Sequence, residues 1–318
     1  MLNDSYNNAS VDKLLNEQEQ NALNSFSYCE NQNHPLMIAK LEHSDQFIVY
    51  HCEYKSNEYV YKWSMDDIFN MSGEEFVDKL YKGYKTTPLN HDSKVYDMCK
   101  ATVNICKKPG ELNKVCVNTS TLCNIKCKFC NIKELKPILP REKELYFDIL
   151  YKLKNSKLME IQLTGDGEPF VYKKDTLEYI DNLTTNDCKQ LVIFTNVTLL
   201  DEEDIVKMHN ASVKSGVKIF IMCSCSAITP ETYSIVHGNT NFEKVVNNIK
   251  LINEFDMLQN VNFVILPDNL QELEFYKQFW KEKNVTKVSA TVVHDYCYPG
   301  ATKFVYDSAE YKRFIENS

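Results

Sequence analysis

Arginine is almost missing from this chain: of 36 basic side chains, only Arg141 and Arg313 carry a guanidinium. That group is the one best suited to bidentate phosphate and guanine contacts. The lysines alternate with Asp and Glu, form no long block, and sit under a net charge of −8. Nucleic-acid binding needs a basic face that neutralises phosphates, so nucleic acid is not an expected partner. The Lys, Asn, Ile and Tyr bias with scarce Arg reads as the imprint of AT-rich coding. Long apolar runs are also lacking. None approaches the roughly 18–20 residues of a bilayer crossing, so no membrane partner is expected. The opening MLNDSYNNASVDKLLNEQEQ lacks the basic-then-apolar layout of a secretory signal, and the cytoplasm is the expected compartment.

Cysteine, by contrast, is plentiful, with 12 among 318 residues. In a reducing compartment these are thiols, metal ligands or redox groups before they are disulfides. Hydrophobic residues at 43% and charged residues at 25% exclude wholesale disorder.

Two regions are expected. Residues 1–110 read as a small α+β module with a role in substrate recognition, as a lid, or in oligomerisation. It has a polar tail over residues 1–24 and extended stretches at Leu36–Leu41, Gln46–Tyr54 and Glu58–Trp63, the last two joined by a turn at Lys55–Glu58. Ser72 with Glu75 makes a capping box opening a helix, and Lys107–Gly110 closes the module. From residue 111 to 318, apolar strands alternate with helices at βα spacing. Strands are expected at Lys114–Thr119, Glu160–Thr164, Gln190–Asn196, Val217–Ser226, Val261–Leu266 and Lys287–His294. Helices include residues 141–156, 201–216, 241–255 and 270–284. The expected fold class is α/β: a partial (β/α)6 TIM-like barrel, with its active face at the C-terminal ends of the strands.

Cys123-Asn-Ile-Lys-Cys127-Lys-Phe129-Cys130 follows the first barrel strand. Three thiolates on one loop wrap a single metal centre. A closed structural zinc site wants four ligands, usually as two CxxC pairs, and no second pair is present. Three protein ligands with one open position suit an iron–sulfur cluster whose fourth iron binds something else.

This CxxxCxxC, with an aromatic before its last cysteine, resembles the radical S-adenosylmethionine superfamily over roughly residues 113–295. The resemblance implies a [4Fe-4S] cluster on Cys123, Cys127 and Cys130, with S-adenosylmethionine on the open iron and Phe129 beside it. Leu163-Thr-Gly165-Asp-Gly167-Glu168-Pro169 resembles the family's Gly-Gly-Glu element, which contacts the methionine amino group; taken alone, such a Gly-Asp-Gly reads as a turn. Thr195-Asn196 resembles the "TNG" element, with Val197 in place of glycine. Residues 220–233 look like a stretch of relatives that usually carry a C-terminal SPASM domain, here without that domain. Ser224 matches their cofactor-contacting serine, and Ser226 stands at their acidic substrate-side position. Strand alternation puts Met222, Ser224 and Ser226 on the inner face, and Cys223 and Cys225 opposite, as packed thiols.

His237 occupies the place of an arginine that meets the cofactor's carboxylate, so it is either an imidazolium donor there or a surface histidine at a helix end. Asn269 matches an asparagine near the adenosine, or caps a helix. Cys297, past the sixth strand, is a candidate hydrogen donor or a plain loop thiol.

The function implied is reductive cleavage of S-adenosylmethionine to a 5′-deoxyadenosyl radical that takes hydrogen from a substrate C–H bond. The expected electron donor is a flavodoxin or ferredoxin. A peptide is the first substrate expectation, because peptide-modifying relatives often carry a small recognition module before the barrel. A sugar, nucleoside or other small metabolite is the second. A non-catalytic iron–sulfur or zinc regulatory protein is the reading from another class.

Overall fold

Nine strands join in one sheet in the computed structural model, which describes residues 36–40, 46–50, 61–86, 114–118, 122–130, 141–164, 167–293 and 298–316. The tail over residues 1–24, the turn at Lys55–Glu58, the Lys107–Gly110 break and the thiols Cys99 and Cys106 lie outside the described residues. The first three strands are β1 (Leu36–Lys40), β2 (Gln46–Tyr50) and β3 (Tyr61–Ser64). The barrel strands are β4 (Lys114–Asn118), β5 (Leu158–Thr164), β6 (Cys188–Thr195), β7 (Lys218–Ser224), β8 (Leu258–Ile265) and β9 (Val288–Val292). They overlap all six expected strands and lie parallel in chain order. The sheet runs linearly from β3 to β9, so the barrel is open rather than closed.

Helices on one face provide the crossovers that parallel strands require. Helices α1 (Met65–Asn70) and α2 (Gly73–Thr86) follow β3, and α3 (Glu142–Lys152) precedes β5. A 3-10 turn at Pro169–Tyr172 leads into α4 (Lys173–Asp181), and α5 (Glu202–Ser215) precedes β7. Helices α6 (Pro230–His237) and α7 (Phe242–Glu254) precede β8, and α8 (Leu270–Lys281) precedes β9. The chain ends in α9 (Ala301–Asp307) and α10 (Ala309–Glu316), the latter reaching α8 through Lys277 Nζ, 5.1 Å over the Phe314 ring. Beneath the helices, Val115, Val117, Ile161, Leu163, Leu191, Ile193, Ile221, Val261 and Phe263 form one buried core.

The module before the barrel is continuous with the sheet. Strand β1 pairs in parallel with β4, Leu36 opposite Val115, while β2 and β3 extend it antiparallel. Trp63 and Phe76, with ring centroids 5.5 Å apart, belong to the same buried core as the barrel strands. The Tyr81 hydroxyl donates to Ser156 O at 3.2 Å, and the Arg141 guanidinium lies 4.3 Å over the Phe69 ring. Ser72 Oγ accepts the Glu75 N–H at 3.1 Å, as its spacing predicts. A second capping box, Ser64 with Asp67, opens α1.

The other face of the sheet is the more polar one. Parallel sheets are usually apolar on both sides; here the residues alternating with the core are Lys114, Cys116, Glu160, Gln162, Gln190, Asn260, Asn262, Ser289 and Thr291, with Val192, Phe194, Phe220, Met222 and Val264 among them. Glu160 is buried and pairs with Lys114 at 3.2 Å; it also accepts from Gln162 Nε2 at 2.5 Å and from Gln190 Nε2. Asn260 donates to Ser289 at 2.5 Å, and Ser289 donates to Asn262 at 3.2 Å. The polar residues of this face lie on β4–β6 and on β8–β9 and hydrogen-bond to one another.

Because Phe76 belongs to the common core, Phe76→Ala should cost about 3–5 kcal/mol and lower the urea midpoint of the whole chain in one transition. Two separated transitions, the later one unmoved, would show that β1–β3 and their helices fold apart from the barrel.

Candidate active site

The cysteine loop, residues 122–130, leaves the C-terminal end of β4 and is gripped by the loops that follow the neighbouring strands. Glu168 N–H donates to Leu122 O at 2.8 Å. Lys126 N–H donates to His237 O at 3.1 Å, and Lys128 N–H to Val236 O at 2.8 Å, so the last turn of α6 acts as a second clamp. Lys128 Nζ pairs with Asp268 at 2.6 Å, reaching the loop after β8. From the end of β6, Asn196 Nδ2 donates to Asn124 Oδ1 at 3.1 Å, and Asn124 Nδ2 donates to Thr198 Oγ1 at 2.7 Å.

Two glycines make these approaches possible. A Cβ on Gly167 would lie 2.2 Å from Leu122 O. One on Gly238, at φ 61°, would lie 2.7 Å from Lys126 O. The glycine of the Gly-Asp-Gly-Glu element therefore serves a backbone approach within the chain. Gly165 lies outside the described residues.

Glu168 is buried and has three partners. Oε1 accepts from Thr195 Oγ1 at 2.7 Å and from Phe170 N–H at 3.1 Å, while Oε2 accepts from Asn196 N–H at 2.8 Å. Burial pushes its carboxyl up to about 7, against these three hydrogen bonds, which favour the charged form. It ties the end of β5 to the end of β6. Asn196 in turn holds Thr198 through Oδ1 and comes within 3.8 Å of Cys123 Sγ through Nδ2.

Val197 takes φ 52°, the left-handed region that glycine enters freely and a β-branched residue only under strain. Val197 stands where the "TNG" element has glycine, and its backbone takes a conformation that glycine enters freely. Asn248 holds the bend by donating to Val197 O at 2.9 Å and Leu200 O at 3.0 Å.

His237 is neither a surface residue nor a free cation. It is completely buried, burial depresses its imidazole to about 3, and both ring nitrogens are engaged. Nε2 accepts the Ser226 N–H at 2.9 Å, and Nδ1 lies 3.2 Å from Cys127 Sγ. Ser226 is also completely buried, and its Oγ accepts the Val264 N–H at 3.0 Å. Asn269 spends its amide inside the protein, donating to Ser226 O at 2.8 Å and Val264 O at 2.9 Å and accepting from Leu266 N–H at 2.8 Å. At the N-cap position of α8 its side chain makes no hydrogen bond to that helix.

Ser224 ends β7, half-buried, on the more polar side of the sheet. Cys223 and Cys225 are buried in the common core, and burial pushes both thiols upward, Cys225 to about 12. Phe129 packs beside Val236, Leu266, Val293 and Ala301, edge-on to His237 at 5.8 Å. Cys297 lies outside the described residues. Asn124, Thr198 and Asn248 carry no sequence signal for their roles, since each acts on a loop distant in the chain.

The loop fits an iron–sulfur cluster. Cys123 is exposed and Cys127 and Cys130 are half-buried on one tight turn, in which Cys130 N–H donates to Cys127 O at 3.2 Å. Among the described residues no three metal-binding groups converge on one point. A four-iron cubane does not need them to, because each thiolate binds a different iron.

The Radical SAM superfamily, compared as a family, matches residues 117–279, just over half of the chain. The chain belongs to the radical SAM superfamily. That superfamily uses a [4Fe-4S] cluster and S-adenosylmethionine, which are therefore this chain's cofactors. Among solved structures, the chain is similar to anSMEcpe with bound AdoMet at 17% identity and TM-score 0.43, covering 57% of this chain and 51% of that one. It is similar to Streptococcus suis SuiB bound to S-adenosylmethionine at 16% identity and TM-score 0.48, covering 92% and 70%. Methylornithine synthase (PylB) is similar at 14% identity and TM-score 0.40, covering 74% and 65%. The chain thus spans about half the length of anSMEcpe. No curated protein matches the sequence.

Two outcomes follow for this radical SAM chain. Gly167→Ala should cost ~1–3 kcal/mol through overpacking and leave a folded protein that takes up markedly less iron on reconstitution; wild-type iron content would rule out the clamp at Leu122. Glu168 holds its proton more tightly folded than unfolded, so its stabilisation is complete below its usual 4.5 and is lost as pH rises through about 7. The stability difference between metal-free wild type and Glu168→Gln, from urea melts, should therefore fall across that interval. A pH-independent difference would refute the raised value.

Proposed function

We propose that this chain reductively cleaves S-adenosylmethionine at its cluster and abstracts hydrogen from a C–H bond of a peptide. The observation that carries the chemistry is the cysteine loop, clamped at the C-terminal ends of the parallel strands of an open sheet. When bound, the cluster supplies the electron that splits the cofactor and so yields the adenosyl radical that attacks the substrate. Cys123, Cys127 and Cys130 hold the cluster. Gly165, Gly167 and Glu168 of the Gly-Asp-Gly-Glu element, Asn196 and Ser224 at neighbouring strand ends, and Phe129 on the cysteine loop would contact the cofactor. Glu168 fixes the β5 and β6 ends to each other, so the cofactor's wall does not shift.

The peptide reading rests on one feature. The amide-bearing side chains of the more polar sheet face both donate and accept, as peptide groups require. A flavodoxin or ferredoxin is the expected reductant.

Anaerobic reconstitution with iron and sulfide, reduction, and chromatographic assay for 5′-deoxyadenosine test the chemistry. Wild type should produce it and Cys127→Ala should not. A reduced, cluster-loaded wild type that binds S-adenosylmethionine and forms none is instead a regulatory iron–sulfur protein. Deuterated short peptides encoded beside the gene should pass deuterium into the product. Transfer only from deuterated sugars or nucleosides would move the substrate to the metabolite class.

A further inference from the structure

Cys127 has a side-chain nitrogen close against its sulfur, and the neighbour's tautomer is fixed by geometry. Ser226 N–H, which can only donate, points at His237 Nε2 at 2.9 Å. Nε2 must then offer its lone pair, and a neutral imidazole with a bare Nε2 carries its proton on Nδ1. Nδ1 stands 3.2 Å from Cys127 Sγ, so the contact is N–H to sulfur and not S–H to nitrogen.

The ring is locked in that orientation. Tyr233 stacks on one face at 4.6 Å and 29°, and Phe129 meets it edge-on at 5.8 Å. The backbone carbonyl of His237 accepts from Lys126 N–H, so the histidine grips the cysteine loop by main chain and side chain together. Asn196 Nδ2 approaches Cys123 Sγ only to 3.8 Å, a longer and weaker contact.

We infer that His237 is a positioning residue whose Nδ1–H donates a hydrogen bond to the Cys127 thiolate and thereby raises the reduction potential of the cluster. The inference rests on the assignment of this loop as the cluster site. Its physical basis is that reduction adds negative charge to the cluster and its sulfurs, and a fixed donor stabilises the more negative state. The donor stands in a wall completely closed to solvent, where water does not substitute for it.

The test uses the full chain, anaerobically reconstituted, with EPR-monitored redox titration of three variants. His237→Gln keeps an acceptor for Ser226 N–H but places no donor at Cys127. His237→Asn places an amide N–H where Nδ1 stood and gives up the Ser226 contact. His237→Phe keeps only the ring. The Gln and Phe variants should make reduction about tenfold less favourable, a shift of about 59 mV to lower potential for a one-electron couple, and Asn should recover most of the loss. In the metal-free chain, nitrogen NMR of labelled histidine should show His237 protonated at Nδ1 and bare at Nε2.

A cluster-loaded Gln or Phe variant with wild-type potential, or an Nε2–H tautomer in wild type, overturns this inference alone. Wild type that takes up no cluster, with correctly folded protein by circular dichroism, overturns the site assignment and this inference with it.

Discussion

Backbone contact at the cysteine loop is the constraint on which the rest of the site depends. A loop of nine residues bearing three thiols has little core of its own to fix it, so its shape comes from main-chain hydrogen bonds with Glu168, His237 and Val236. Those bonds are feasible because two positions lack a Cβ, Gly167 and Gly238, where any side chain would strike a carbonyl. Backbone partners also do not depend on rotamers, so the sulfurs are placed by the sheet itself rather than by flexible side chains. Everything further out has the job of keeping those two clamps in place: Glu168 between β5 and β6, Asn269 between Ser226 and Val264, and Asn248 under the Val197 bend.

Much of this was readable along the chain. The six barrel strands declare themselves by apolar runs at βα spacing, and the cysteine triplet by its density and its place after a strand. Ser72 announces its helix. The more polar side of the sheet was less visible, because residues such as Gln162, Gln190 and Asn262 look like ordinary interruptions until the register sets them beside one another. The module before the barrel looked separable because its elements follow a different pattern and close at Lys107–Gly110. Only the parallel pairing of β1 with β4 shows that it continues the same sheet.

The residues around the loop were the hardest to read, for a physical reason. The two ring nitrogens of His237 find partners 11 and 110 positions away, and no local pattern encodes either. A resemblance at its position pointed toward a cationic role, whereas burial enforces neutrality. Val197 shows the converse: the residue departs from the family's pattern, while its backbone takes a conformation that glycine enters freely.

The clamps also set a timetable for biosynthesis. The loop appears early in the barrel region, yet its partners are Glu168, Thr198, His237 and Asp268, and the last lies 140 residues downstream of Lys128. A chain emerging from the ribosome therefore carries its three thiols long before it can hold them in shape. The loop reaches its clamped shape only after Asp268 has been made, and until then its thiols are protected best by a reducing environment.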